Sequence, residues 1–459
     1  MASAESSSRG RIAYLTYGSG LFDARTYRMA HSAIEAGYEV SVYARWEPGL
    51  PLVETLDGYR LVRAPWAWQG AVPGLARLAR PRDLAGPRAG SGGAPEVPPE
   101  PRPEAPPEAR ERPGASGPGV LRPLRAGRQA VNLLRKYPGR PLGWARSLEN
   151  VAEPADIWHG SWAGTLPALD RLRRRFGGHA IYDSRDIYME SRKLATAPPL
   201  LRAGLARLER RWARRMDRVI TVNDSYADVL ARRFGIPTPT IVLNCPDAWT
   251  PPDPPPDLIR EAVGLPTSTR IVLYQGQLIS DRGIEQSMDA ILEVPGSALV
   301  LLGYGELEAR LRAAASAPPY AGRVFVLPAV HPRDLLSWTA SADAVLMAIQ
   351  PTSLNHRFTT PQKLFEAIAA GVPVVASDLP GMAAIVREID AGLLCDPTSP
   401  ASIATAVREL LAEGPPARAA RRARILAAAH DRYNWAAQVA VLHGLYRELL
   451  ADPAPGAAR

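Results

Sequence analysis

Lys363 and Glu366 lie three residues apart in the run TPQKLFEAIAAGVPVVAS over 360–377. That spacing predicts a shared helical face. Pro361 suits a first turn, Leu364, Phe365, Ile368 and Ala369 recur at helical spacing, and Gly371 marks the stop before the β-branched run 372–375. A cation and a carboxylate beside the free N–H groups of a helix start can hold a phosphate and a hydroxylated ring; the same spacing also suits a solvated ion pair. Lys363 is one of three lysines, with Lys136 and Lys193, in a chain that otherwise uses arginine for its cations. A compact ammonium stands out against that habit.

The other residues able to do chemistry fall just after predicted strands. Gly18 and Gly20 follow the strand 11–16, with Arg25 opening the helix 24–36; His159 ends the strand 156–159. Asp183, Arg185 and Asp186 end and follow the strand starting at 180, Gly276, Arg282 and Gly283 follow 271–275, and Gly303 and Gly305 follow 298–302. Further strands are predicted over 39–44, 218–223, 240–244, 323–327, 344–347 and 372–376, with helices such as 162–176 and 201–216 between them. Strands alternating with helices predict an α/β chain of two facing, Rossmann-like, doubly wound domains. Ligands of such sheets bind beyond the carboxyl ends of the strands, so the shared site is the interdomain cleft. The expected boundaries are an N-terminal acceptor-side domain over 1–247, a Pro-rich linker over 248–256, a C-terminal donor-side domain over 257–428, and a helix over 429–452 that returns to the N-terminal domain.

Composition narrows the class. A length of 459 residues suits two domains, and 46% apolar residues suit a soluble enzyme. Two cysteines, Cys245 and Cys395, are too few for a disulfide framework, and no apolar run approaches the ~20 residues of a membrane span, so a cytoplasmic protein is expected. The net charge of +9 suits an anionic partner, but the arginines are diffuse and do not indicate nucleic acid. Residues 81–119, rich in Pro, Gly, Ala, Glu and Arg, read as a disordered insertion. The basic stretches 120–148 and 201–216 suit either a membrane-facing surface or ordinary amphipathic packing.

The runs 183–190, 209–223, 276–283, 303–305 and 361–377 together resemble the GT-B glycosyltransferases of family 4, the glycosyl transferases group 1. The resemblance implies a retaining, metal-independent transfer from a nucleotide-diphosphate sugar to a hydroxyl of a glycan, a lipid-linked sugar or a small molecule, without a cofactor. Arg282 and Lys363 would hold the donor diphosphate in place of a metal, and the chain has no Asp-x-Asp. Glu366 would take the ribose hydroxyls, and His159 would lie beside the reacting sugar. Gly18, Gly20, Gly276, Gly283, Gly303 and Gly305 would let the backbone approach the donor; Arg25, Asp183, Arg185 and Asp186 would shape the acceptor side. The family's second glutamate, eight residues before Glu366, is here Phe358, which leaves the sugar to the backbone of 355–361 and to Asn355. An epimerase or hydrolase on the same fold, and a non-catalytic nucleotide-binding member, are the alternative readings. Contact with the inner membrane face is a further expectation.

Overall fold

A computed structural model describes residues 9–21, 23–65, 131–195 and 197–452. The insertion expected over 81–119 lies outside these residues, as does the start of the basic stretch at 120–130. The chain forms two sheets. The N-terminal sheet holds β1 (Arg11–Thr16), β2 (Glu39–Arg45), β3 (Val53–Leu56), β4 (Tyr59–Ala64), β5 (Ile157–Ser161), β6 (His179–Ser184), β7 (Arg218–Thr221) and β8 (Thr240–Ile241), in the order β3-β4-β2-β1-β5-β6-β7-β8. Its pairings are parallel except for β3 with β4. The second sheet, β9 (Arg270–Gln277), β10 (Ser297–Tyr304), β11 (Val324–Leu327), β12 (Ala344–Met347), β13 (Val374–Ser377) and β14 (Gly392–Cys395), is parallel throughout, in the order β11-β10-β9-β12-β13-β14. Helices cover both faces, so central strands such as β6 are buried at every residue.

Four details depart from the sequence pattern. The β3–β4 hairpin turns on Asp57-Gly58, both at positive φ, a tight-turn signal that the alternating apolar runs obscure. β14 is a further strand, whose GLLC run is too short to stand out. β8 pairs over two residues only; Val242 still packs in the first core, and from Leu243 the chain enters the second. β5 continues through Gly160 and Ser161, so His159 is mid-strand, opposite Tyr14 and Ile181.

The helix Trp435–Ala451 packs on the first sheet. Trp435, Leu442, Leu445, Tyr446 and Leu449 share a core with Ile12, Tyr14, Met29 and Ile157. Tyr446 Oη lies 2.7 Å from His159 Nδ1 and 3.1 Å from Tyr14 Oη. His159 is thus 1% exposed, and burial pushes it down to about 4, against the pull of Asp183. It is neutral in the folded protein at neutral pH. Below its ordinary value of 6.5 the unfolded chain takes up a proton that the folded chain refuses until about 4, so stability falls across that window on acidification. Tyr446→Phe leaves the buried imidazole Nδ1 without its hydrogen-bond partner. A loss of about 1–2 kcal/mol in denaturant unfolding is expected.

Candidate functional site

The second sheet supplies a wall of unpaired positive charge. In the helix Gln362–Ala370, Leu364, Phe365, Ile368 and Ala369 enter the core, and Gly371 closes the helix in the left-handed conformation. The half-buried Lys363 projects from the first turn, its Nζ 3.8 Å from the centroid of the Tyr274 ring at the end of β9 and close above Gly276. Glu366 does not pair with it. Its carboxylate instead accepts from Gln275 Nε2 at 2.6 Å, and Gln275 Oε1 accepts from Thr339 Oγ1 at 2.8 Å. Glu366 is 8% exposed, and burial raises its pKa.

Arg282 stands in the turn between β9 and the helix Ile284–Leu292. Gly283 caps that helix at φ +68, and a Cβ there would collide with the carbonyl oxygen of Ala348, so only glycine lets the turn seat against the end of β12. Asp281 also adopts positive φ. Among the described residues the Arg282 guanidinium has no hydrogen bond or ion pair. Gly276 and Gly303 face each other across β9 and β10, where a Cβ on Gly303 would strike the Gly276 carbonyl, and Gly305 follows against Leu278.

Burial pushes the Lys363 ammonium down to about 7; Arg282 adds to the push and Glu366 opposes it. A lysine ammonium held partly discharged by burial and by a neighbouring guanidinium, with Glu366 engaged by Gln275 instead of pairing with it, makes a site for an anion. A diphosphate needs Lys363 charged, and the free protein holds it half-charged near pH 7. Nucleotide binding above pH 7 is therefore expected to take up a proton, with the dissociation constant rising by up to about tenfold per pH unit. Titration calorimetry in buffers of different ionisation enthalpy checks this.

The facing wall on the first sheet is a closed polar network. Arg25 Nε and Arg185 Nε both donate to Asp183 Oδ2, at 3.1 and 3.0 Å, and Arg185 reaches Asp23 Oδ1 at 2.6 Å and Thr26 Oγ1 at 3.0 Å. Burial alone would raise Asp183; Arg25 and Arg185 outweigh it and hold the acid at about 2. Asp186, one turn further, is pushed up to about 6 by burial, with Arg185 and Arg282 opposing. Gly18 lies in the turn after β1 and accepts from the Arg45 amide, while Gly20, at φ +84, packs against Leu61 and Ala44. His159 lies below this wall, inside the sheet. Its place mid-strand and its burial beneath Tyr446 correct the expectation of a strand-end imidazole beside a sugar.

The two walls are joined by a clasp that sequence reasoning missed. Asn355, in the short helix Leu354–Phe358, accepts from the Ile187 amide at 2.8 Å and donates to the Ile187 carbonyl at 3.3 Å, and its own carbonyl accepts from Tyr226 Oη at 3.0 Å. Asn223 Nδ2 donates to Phe358 O at 2.8 Å and Thr360 Oγ1 at 3.2 Å. Leu354 and Phe358 pack on Ile187, Tyr226 and Val229. The side chain of Asn355 is therefore engaged with the other domain, which corrects its expected role at the sugar. Tyr274 and Gln275 were also missed; the polar residue closing an apolar strand was the available signal.

Two family models match the chain in tandem: Glycosyltransferase Family 4 over 95–246 and Glycosyl transferases group 1 over 257–426. A D-inositol 3-phosphate glycosyltransferase from Xylanimonas cellulosilytica is 30% identical over 248 residues, which cover 50% of this chain and 57% of that protein. The chain thus matches a little over half the length of this curated relative. The fold is shared with a sucrose-phosphate synthase from Thermosynechococcus elongatus (TM-score 0.64, 19% identity, 96% of this chain and 100% of the other). It is shared as well with Anabaena Alr3699/HepE in complex with UDP (TM-score 0.62, 14% identity, 96% and 100%). With both halves matched in order and the two-sheet fold held in common, the chain belongs to the GT-B glycosyltransferases and resembles family 4.

Proposed function

We propose that the protein transfers a sugar, with retention, from a nucleoside diphosphate sugar to a hydroxyl acceptor. The observation that carries the reading is the pair of uncompensated cations, Arg282 and Lys363, converging at the ends of β9 and of the Gln362–Ala370 helix. As the glycosidic bond breaks, negative charge grows on the leaving diphosphate, and two fixed positive groups in a partly desolvated site stabilise it more than water would. They supply the charge that a metal would otherwise bring, so the proposal includes no cofactor. Glu366, fixed by Gln275, accepts from the ribose hydroxyls. The acceptor hydroxyl attacks from the face the diphosphate leaves, and a phosphate oxygen takes its proton.

The helix Pro199–Ala213, with Leu200 90% exposed among arginines, supports placing this chemistry beside a membrane with a lipid-linked or surface glycan as acceptor. Among the described residues no helix is long and apolar enough to cross one. The test is a screen of UDP and GDP sugars with a mixed acceptor pool, followed by NMR of the product. An α-donor is expected to give an α-glycoside; donor loss without a glycoside would favour hydrolysis or epimerisation instead.

A further inference from the structure

Trp162 belongs neither to the cation wall of the second sheet nor to the clasp between the domains. It follows Ser161, the last residue of β5, and its amide donates to the Asp183 carbonyl at 3.1 Å, so it stands at the carboxyl edge of the first sheet beside the Asp183–Ile187 segment. That segment touches the second domain through Asn355, so this edge is the first-sheet wall of the cleft, which on the transferase reading faces the acceptor. Trp162 holds φ 73 and ψ 150, a conformation common only for glycine. The turn is locked, because its carbonyl accepts from both the amide (3.0 Å) and the hydroxyl (2.9 Å) of Thr165. The strained backbone does not bring the indole into the core: the residue is 48% exposed, and among the described residues its side chain has no hydrogen-bond, cation or ring partner.

The charge on the same wall is closed. Arg25 and Arg185 are two cations set against two anions, Asp183 and Asp23, and Asp186 adds a further acid. Neither arginine is left to meet a phosphate. Leu21, 46% exposed in the turn after β1, adds apolar surface at the same sheet edge.

We propose that Trp162 is the acceptor platform, on which an uncharged pyranose ring stacks by its C–H face, and that this wall selects against acceptors phosphorylated on that ring. The inference rests on the transferase reading above and names its acceptor class. An indole offers a wide, rigid apolar face at little entropic cost, as a ring with one C–H face requires. A phosphate would have to be desolvated against Asp186 with Arg25 and Arg185 already paired and Arg282 taken by the donor diphosphate.

The experiment is an acceptor series on the full chain: alkyl glucosides, galactosides and mannosides, each beside its 6-phosphate, with donor consumption followed in every sample. The neutral member of a pair is expected to be used with kcat/KM at least about tenfold above its phosphate. Trp162→Ala is expected to raise the acceptor KM about tenfold or more, and Trp162→Phe to recover part of it. Trp162→Gly, which relieves the φ, should unfold at or above the wild-type temperature while showing the same KM defect, so a folding loss cannot imitate the result. A protein that consumes donor but prefers the phosphorylated acceptors, uses no neutral pyranoside, or keeps its acceptor KM in Trp162→Ala overturns this inference alone. If it consumes no nucleotide sugar, the transferase reading fails and takes the inference with it.

Discussion

Lys363→Ala is expected to lower kcat/KM for the sugar donor by about two to three orders of magnitude, with kcat falling as well as KM rising. The ammonium sits over the Tyr274 ring with Arg282 as a charged neighbour and with Glu366, its opposing charge, engaged by Gln275; on the proposed function it is held for a ligand rather than for the fold. Its folded pKa, about 7, lies below the ordinary 10.5, which means that charging it costs folding free energy. That cost is present below pH 7 and fades as the pH climbs towards the unfolded value. Lys363→Met should therefore unfold at or above the wild-type temperature at pH 6 while losing turnover, and nucleotide should no longer raise its melting temperature. Lys363→Arg should not rescue, because a planar guanidinium cannot replace a compact ammonium at 3.8 Å from the ring centroid without displacing Arg282. A Lys363→Ala protein that turns over donor at the wild-type rate would contradict this account of the donor wall.

Phe358→Glu restores the carboxylate that the family pattern carries eight residues before Glu366, and it is expected to harm the protein. The half-buried phenyl ring lies against Ile187, Tyr226 and Val229 of the other domain, so a carboxylate there would be partly desolvated against apolar groups. Asn355→Ala attacks the same clasp from its polar side, removing both bonds to the Ile187 main chain and leaving a donor and an acceptor unmet. Each change should cost the closed arrangement about 1–3 kcal/mol, or about 5–150-fold in the ratio of closed to open forms. The loop between the clasp and Lys363 is short, so kcat/KM should fall by a similar factor while the isolated donor wall stays folded. Small-angle scattering is expected to show a larger radius of gyration for both variants without ligand, and saturating nucleotide should bring it back towards wild type. Unchanged scattering with unchanged kinetics would show that the clasp does not hold the domains.

What could be read from the sequence was what is written locally. The apolar strand cores and the glycines after them lie in single short segments, which is why two doubly wound domains were legible. The placement of Arg282, Lys363 and Glu366 was legible for the same reason: Arg282 adjoins the glycine that seats its turn, and Lys363 and Glu366 share one helical turn. The acceptor side was less so, because its partners are distant in the chain. His159 reads as a strand-end histidine until Tyr446, 287 residues away, is seen to cover it. Asn355 reads as a loop amide facing a sugar until Ile187, 168 residues back, engages both ends of its side chain. Phe358 looks like a lost carboxylate because its reason for being apolar sits in the other domain. Trp162 carries no sequence signal, since nothing in its neighbours announces a φ of 73.

The central claim is that the cleft holds a nucleoside diphosphate between Arg282 and Lys363. Calorimetric titration of UDP and GDP into the wild-type protein, Arg282→Ala and Lys363→Ala at pH 6.5 tests it most directly. Wild type is expected to bind at least one of the two nucleotides, and each variant to bind it about a hundredfold more weakly or not at all. Equal affinity in wild type and in both variants would contradict the claim.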